Sequence, residues 1–238
     1  MQKDMDPNQL AEALLLQVKK QEDTTPLEQQ LAEGLSLSSL SAFLNTDNRR
    51  KAFWINMYNA CFQILRSREG VTAPAIYREP LVAIAGHRFS LDDIEHGILR
   101  RYRWKFSLGF LSHPFTPRLI RRLAVSRLDY RIHFALNCGA VSCPPIAFYH
   151  HDRLDSQLDG ATRSFMESET VVDRAAGAVY VSRLLLWFLG DFGGFRGIRR
   201  LLKEVLGLDA RAMKVRFREY SWEEALQNWA ESVDAGNR

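Results

Sequence analysis

Asn48-Arg-Arg-Lys-Ala-Phe-Trp-Ile-Asn-Met-Tyr-Asn-Ala-Cys-Phe-Gln-Ile-Leu65 is the stretch on which the fold turns. Ala52, Ile55, Tyr58/Asn59, Phe62 and Leu65 recur at three- and four-residue steps, the period of a helix. The helix this predicts, Asn48 to Arg68 with Asp47 as its cap, is apolar on most of its faces and so belongs at the centre of a packed body. Asn56 and Asn59 interrupt that surface and are neighbours on one face. Buried amides cost free energy unless hydrogen-bonded. These two either tie loops to the core or line a polar site where a substrate binds.

Outward from this helix, residues 1–46 read as an N-terminal helical arm on the body formed by 47–238. Leu10, Leu14, Leu15 and Val18 fall at helical spacing, Thr24-Thr25-Pro26 breaks the pattern, and Leu27, Leu31 and Leu35 resume it, which predicts two short helices. On the other side, Gly86–Ser90 reads as a hairpin arm. Ser90 then opens a helix with Asp93 in a near-capping-box position, Ile94, Ile98 and Leu99 inward, and Glu95 and His96 in its first half. The apolar run Arg131–Leu136 predicts a strand, and Asn137–Pro145 a tight connection. Helices are predicted over Asp152–Ser168, after a Ser182 cap, and over Phe195–Leu206. Strands are predicted at Ala178–Ser182 and Lys214–Tyr220, and a short polar helix at the C-terminus. The fold class expected is α+β: a helix-rich single domain with a small antiparallel sheet carrying His133.

The 238 residues are 46 % hydrophobic and 25 % charged, which excludes a disordered chain. Lys+Arg 32 against Asp+Glu 28 leaves +4, which permits an anionic partner without demanding one. No apolar run approaches the roughly 18 residues of a membrane span. The N-terminal residues lack the order of a secretory signal, so a cytoplasmic protein is expected, or the mature part of an exported one. No GxGxxG or GxxxxGK[ST] occurs, so no nucleotide cofactor is expected, nor any other. Residues 99–131 gather Arg100, Arg101, Arg103, Lys105, Arg118, Arg121, Arg122, Arg127 and Arg131 against Asp129 alone, with Tyr102, Trp104, Phe106, Phe110 and Phe115 interleaved. This is either a surface for an anionic partner or a solvated basic face backed by ordinary core aromatics. The absence of any nucleic-acid-binding signature argues against nucleic acid.

The segment richest in chemistry is His133–Pro145, His-x4-Cys-x4-Cys-Pro-Pro. Three cysteines make no disulfide framework, and in a reducing compartment the thiols are expected to stay free. One reading is thiol catalysis. A cysteine attacks as thiolate, so a nearby imidazole must lower its pKa and a third group must orient that imidazole. Cys143 or Cys138 would be the nucleophile, His133 or His96 the base, and Glu95, Asn56 or Asn59 the orienter. A second reading is metal ligation by His133, Cys138, Cys143 and His96, for which the four-residue gap between cysteines fits poorly. The third is a structural turn shaped by Gly139, Ser142 and two prolines. Cys61, mid-helix, reads as core, and His150-His151 as a solvated pair without a partner.

At Ala52-Phe-Trp-Ile-Asn-Met-Tyr-Asn-Ala, Leu91-Asp-Asp-Ile-Glu-His-Gly-Ile-Leu-Arg, Arg131–Pro145, Leu158-Asp-Gly-Ala-Thr and Trp187-Phe-Leu-Gly-Asp-Phe the sequence resembles the domain-of-unknown-function family DUF547. The motifs span roughly residues 45–222. Tyr130 stands where the family usually has proline, and Tyr220-Ser221-Trp222 where it has Tyr-Asp-Trp. The resemblance implies Asn56, Asn59, Glu95, His96, Arg100 and His133 as the family's polar core and imports no activity. A polar helix followed by a histidine-bearing strand is similar to the papain/transglutaminase layout, by analogy only.

The function expected is a thiol-dependent hydrolase or acyltransferase acting on a peptide-like, amide or other small-molecule substrate. Asn56, Asn59, Arg100 and Ser142 would position that substrate, and no metal is required. The alternative is a non-catalytic binding module that holds an anionic partner in the polar pocket or on stretch 100–131.

Overall fold

The computed structural model of the chain describes residues 6–230. The arm forms three helices rather than two: α1 (Pro7–Lys20), α2 (Thr25–Glu33) and α3 (Leu37–Phe43). The third exists because Ser36 and Ser39 make a reciprocal capping box. Leu10, Leu14 and Leu15 of α1 are fully buried and share one core with α4 (Asp47–Gln63), against which α1 packs most extensively.

Every α4 residue from Lys51 to Gln63 is buried, as the all-round apolar pattern predicts. Its cap is Thr46, whose side chain accepts from the Arg49 amide. Asp47 is not the cap. Its carboxylate instead accepts from the Ser126 and Arg127 amides and from the Ser126 hydroxyl, pinning a distant loop to the helix start.

Asn56 and Asn59 are fully buried and completely paired. Asn56 donates to the Tyr149 carbonyl at 2.8 Å and accepts from the Tyr149 amide at 3.1 Å. Asn59 donates to the Ala135 carbonyl and accepts from the Asn137 amide, both at 2.9 Å. Each amide stands in for one rung of a backbone ladder, so the two act as ties.

Beyond α4, the π-helical turn Ile64–Arg68 and α5 (Ala75–Arg78) lead into the antiparallel hairpin β1 (Val82–Ile84) and β2 (His87–Phe89). Ser90 and Asp93 form the expected reciprocal bonds, and the chain enters a π-helix over Asp93–Leu99. After α6 (Arg118–Leu123), residues Tyr130–Phe134 form a 3-10 turn. The strand expected over 131–136 is therefore absent. Asp129 caps the turn by accepting from the Arg131 amide, and a short apolar run buried on all sides serves a helical turn as well as a strand.

Helix α7 (Leu154–Glu169) precedes β3 (Val171–Asp173), β4 (Ala178–Val181), α8 (Leu184–Trp187), α9 (Gly194–Leu206) and β5 (Lys214–Phe217). The sheet order is β3-β4-β5, antiparallel then parallel. The fold is α+β, with one antiparallel hairpin and one mixed sheet, and His133 lies in neither. From Phe217 to residue 230 there is no polar helix. The chain instead runs as a strap along 139–146, with bridges Ala140–Glu224 and Ile146–Trp229. The rest of that expected helix falls outside the described residues. Among the described residues no helix is long and apolar enough to cross a membrane.

Replacing Asn59 by Leu leaves the Ala135 carbonyl and Asn137 amide buried without partners. Stability should fall by about 2–4 kcal/mol in denaturant titration, whereas an amide that only faced a pocket would leave the midpoint nearly unchanged.

Candidate functional site

The π-helix Asp93–Leu99 carries Glu95 and His96 and delivers the chain to Arg100. Its wider turn is held by i→i+5 bonds such as Arg100 N–H to the Glu95 carbonyl at 2.8 Å, a geometry that recurs at functional sites. Arg101 and Tyr102 follow with φ of 51° and 55°, left-handed values that swing the chain away from the core.

Arg100 is fully buried. Its Nε donates to Asp191 Oδ2 at 2.6 Å, its Nη1 donates to His96 Nδ1 at 2.7 Å, and its guanidinium lies 4.5 Å from the Phe188 ring centre. His133 Nε2 lies 2.8 Å from the same Asp191 oxygen, and its ring stacks on Phe188 at 3.9 Å. Burial raises the Asp191 carboxyl, but the His133 and Arg100 hydrogen bonds outweigh that and hold it below the ordinary carboxylate range. Burial lowers His133 to about 4, opposed by its Asp191 hydrogen bond and reinforced by the Arg100 charge. His133 is therefore neutral near pH 7, with its proton on Nε2 to make the Asp191 bond.

His96 is held well below the usual histidine value by burial, then by the Arg100 and Lys105 charges. Because Arg100 can only donate, His96 Nδ1 accepts and its proton sits on Nε2, 3.5 Å from Asp92 Oδ1. Lys105 engages the other Asp92 oxygen. Glu95 Oε1 lies 3.6 Å from His96 Nδ1, and Oε2 accepts from the Tyr58 hydroxyl at 3.2 Å. Burial raises Glu95 to about 7. Arg100 opposes the rise and Asp92 adds to it. A cleft of about 290 Å³ opens beside this group, lined by His96, Asp92, Lys105, Trp104, Phe106 and His113 among others.

Glu95, His96, Arg100 and His133 thus meet as one network. The two cysteines do not join it by any hydrogen bond to an imidazole among the described residues. Expected as free thiols, Cys138 and Cys143 are instead joined in a disulfide, their Cα atoms 6.0 Å apart. The turn between them, with Gly139 at φ 73° and the Cys143 amide on the Ala140 carbonyl, brings them within bridging distance. In this state neither sulfur is a thiolate. The Tyr220 hydroxyl lies 3.2 and 3.0 Å from the two sulfurs. Burial raises that phenol, with Tyr77 and Glu95 adding through their charges, so Glu95 and the disulfide turn share an electrostatic neighbourhood.

Ser142 accepts from the Ser221 amide, which fastens the C-terminal strap. His150 is not solvated alone: its Nδ1 pairs with Glu12 of α1 at 2.8 Å. Trp104, Phe106, Phe110 and Phe115 are exposed and not core aromatics. Cys61 is buried and free, as its helix position predicts. Among the described residues no three His, Cys, Asp or Glu side chains are placed to hold a metal ion.

The sequence reading missed Asp191, Tyr58 and Tyr220. Asp191 had a signal, since Trp187-Phe-Leu-Gly-Asp-Phe is one of the matching motifs.

The family model described as "Protein of unknown function, DUF547" matches residues 42–166, just over half of the 238-residue chain. The chain belongs to this family. The DUF547 match covers α4, the π-helix and the His133 turn and stops before Asp191. No curated protein and no solved structure matches the chain.

The buried histidines fix a pH dependence. A folded pKa of about 4 for His133, against an ordinary 6.5, means the unfolded chain takes up a proton that the native state refuses. The contribution is whole above pH 6.5 and is lost as pH falls toward 4. Glu95 has the opposite sign: its contribution is whole below pH 4.5 and is lost as pH rises toward 7. The acid-side fall in stability, followed by urea titration, should be shallower in His133→Gln, which retains a donor for Asp191. An unchanged slope would mean that His133 titrates normally.

Proposed function

We propose that the protein is a hydrolase or acyltransferase acting on a peptide-like or amide substrate, with His96 on the cleft wall and Glu95 beside it handling protons and charge. The observation that carries this reading is geometric: His96 lines the cleft with Glu95 3.6 Å behind it, in surroundings that raise the carboxyl to about 7 and push the imidazole down. Neighbouring groups driven apart in this way mark an acid–base assignment. The roles differ from those first expected. His96 has its Nδ1 committed to Arg100, so it is a poor base. It presents a neutral Nε2–H to the cleft, suited to donating a hydrogen bond to a carbonyl oxygen as negative charge builds there. Glu95, titrating near neutrality, takes a proton from the attacking group and returns it to the leaving group. Lys105 adds positive charge at the mouth, and Arg100, Asp191 and His133 hold the histidine from behind.

The nucleophile in this reading is water. A thiol nucleophile, Cys143 or Cys138, is a second reading for the reduced chain. It is favoured by the shared Tyr220 hydroxyl and the electrostatic link from that phenol to Glu95.

On a panel of peptide anilides and simple amides, Glu95→Gln should lower kcat by about 10²–10⁴-fold and remove the limb of the pH profile near 7. Full activity in that variant would overturn the assignment. Iodoacetamide labelling after dithiothreitol separates the two nucleophiles, because sulfurs that react no faster than free cysteine leave only water.

A further inference from the structure

Residues 103–112 form a surface hairpin, which is independent of the chemistry proposed above. Arg103 bridges Ser112, the Trp104 amide donates to the Leu111 carbonyl at 2.9 Å, and the His113 amide donates to the Tyr102 carbonyl at 2.7 Å. The tip is anchored from below: the Gly190 amide donates to the Leu108 carbonyl at 2.7 Å. Gly109, at φ 85°, is so close to Asp191 that a Cβ there would stand 2.3 Å from its Oδ1. The hairpin is thus a rigid extension of the buried network.

Its surface is apolar where solvent reaches it. Phe106 is 71 % exposed, Phe110 55 %, Leu111 58 % and Phe115 85 %, with Trp104 and Leu108 also exposed. Large exposed apolar side chains concentrated on one hairpin and on Phe115 just beyond it mark an interaction surface. Around them stand Arg101, Arg103, Arg118, Arg121 and Arg122, none in an ion pair with a carboxylate among the described residues. No acidic residue occurs between Glu95 and Asp129. Lys105 pairs with Asp92, while Arg103 and Arg121 donate only to the neutral carbonyls of Phe110, Thr116 and Pro114.

We infer that this hairpin seats the protein on an anionic phospholipid surface. A cluster of exposed Phe, Trp and Leu beside arginines that have no carboxylate partner among the described residues matches the two layers of such a surface, acyl chains beneath and phosphates above. A nucleic acid would use the rings and phosphate contacts but leave Leu108 and Leu111 in water. A second copy docked face to face would set one arginine ring against the other. Trp104 and Phe106 belong both to the hairpin and to the wall of the His96 cleft, and His113 at its base lines the same cleft, so the seated molecule holds that cleft at the lipid boundary.

The test is sedimentation of the full chain with phosphatidylcholine vesicles, with and without phosphatidylglycerol. Pelleting is expected with the anionic vesicles and should weaken as salt is raised. Replacing Phe106, Phe110 and Phe115 by Ser should cost about tenfold in partitioning per ring removed. Arg118→Glu with Arg122→Glu should reduce binding to anionic vesicles while leaving the melting temperature unchanged. The inference falls if the wild-type chain does not pellet with anionic vesicles, or if the triple-Phe variant pellets equally well. It falls also if the rings are needed only for a single-stranded oligonucleotide or for a concentration-dependent dimer.

Discussion

The Asp191 carboxylate accepts hydrogen bonds on one oxygen from Arg100 Nε at 2.6 Å and His133 Nε2 at 2.8 Å, with the side chains of all three at most 1 % exposed. A charge so deeply buried is tolerated only when it is paired and hydrogen-bonded. The pairing therefore dictates where three separate pieces of chain must lie: the end of the π-helix, the 3-10 turn after Asp129, and the connection between α8 and α9. The second Asp191 oxygen has no hydrogen-bond partner and faces Gly109. The same carboxylate thus sets how closely the aromatic hairpin approaches the core.

The chemistry of the cleft follows from this constraint. Arg100 has five donors and no acceptor, so whatever it touches must present a lone pair. That requirement keeps His96 neutral with its proton turned outward. The Arg100 charge lowers Glu95 against the rise that burial imposes, and Asp191 gives part of that rise back. Helix α4 supplies the rigid backing: Tyr58 donates to Glu95, and the next residue, Asn59, ties the segment that follows His133.

Much of the scaffold was legible in the sequence because it rests on local rules. The all-round apolar period of 52–65 placed α4 at the centre, and the Ser90/Asp93 box, α7, β4, α9 and β5 followed from caps and periodicity. Four polar residues of the network, Glu95, His96, Arg100 and His133, were also identified. The illegible features depend on contacts between distant parts of the chain. Arg100 and His133 meet Asp191 across 91 and 58 residues, and an aspartate at a helix end looks like an ordinary cap. Spacing of Cys-x4-Cys does not report a Cα separation, so the disulfide was invisible. The strand expected around His133 failed because six apolar residues carry no period that separates strand from buried turn. The aromatics of 104–115 were open to a core reading, since composition does not tell which way a hairpin points.

The central claim is that Arg100 at His96 Nδ1 and Asp191 at His133 Nε2 lock two neutral histidines with their protons on Nε2. The most direct measurement is imidazole ¹⁵N NMR of the folded protein between pH 8 and 5. His96 and His133 should both show a protonated Nε2 and an unprotonated Nδ1 with no titration across that range. A His96 signal that moves to the doubly protonated form near pH 6.5 would contradict the arrangement.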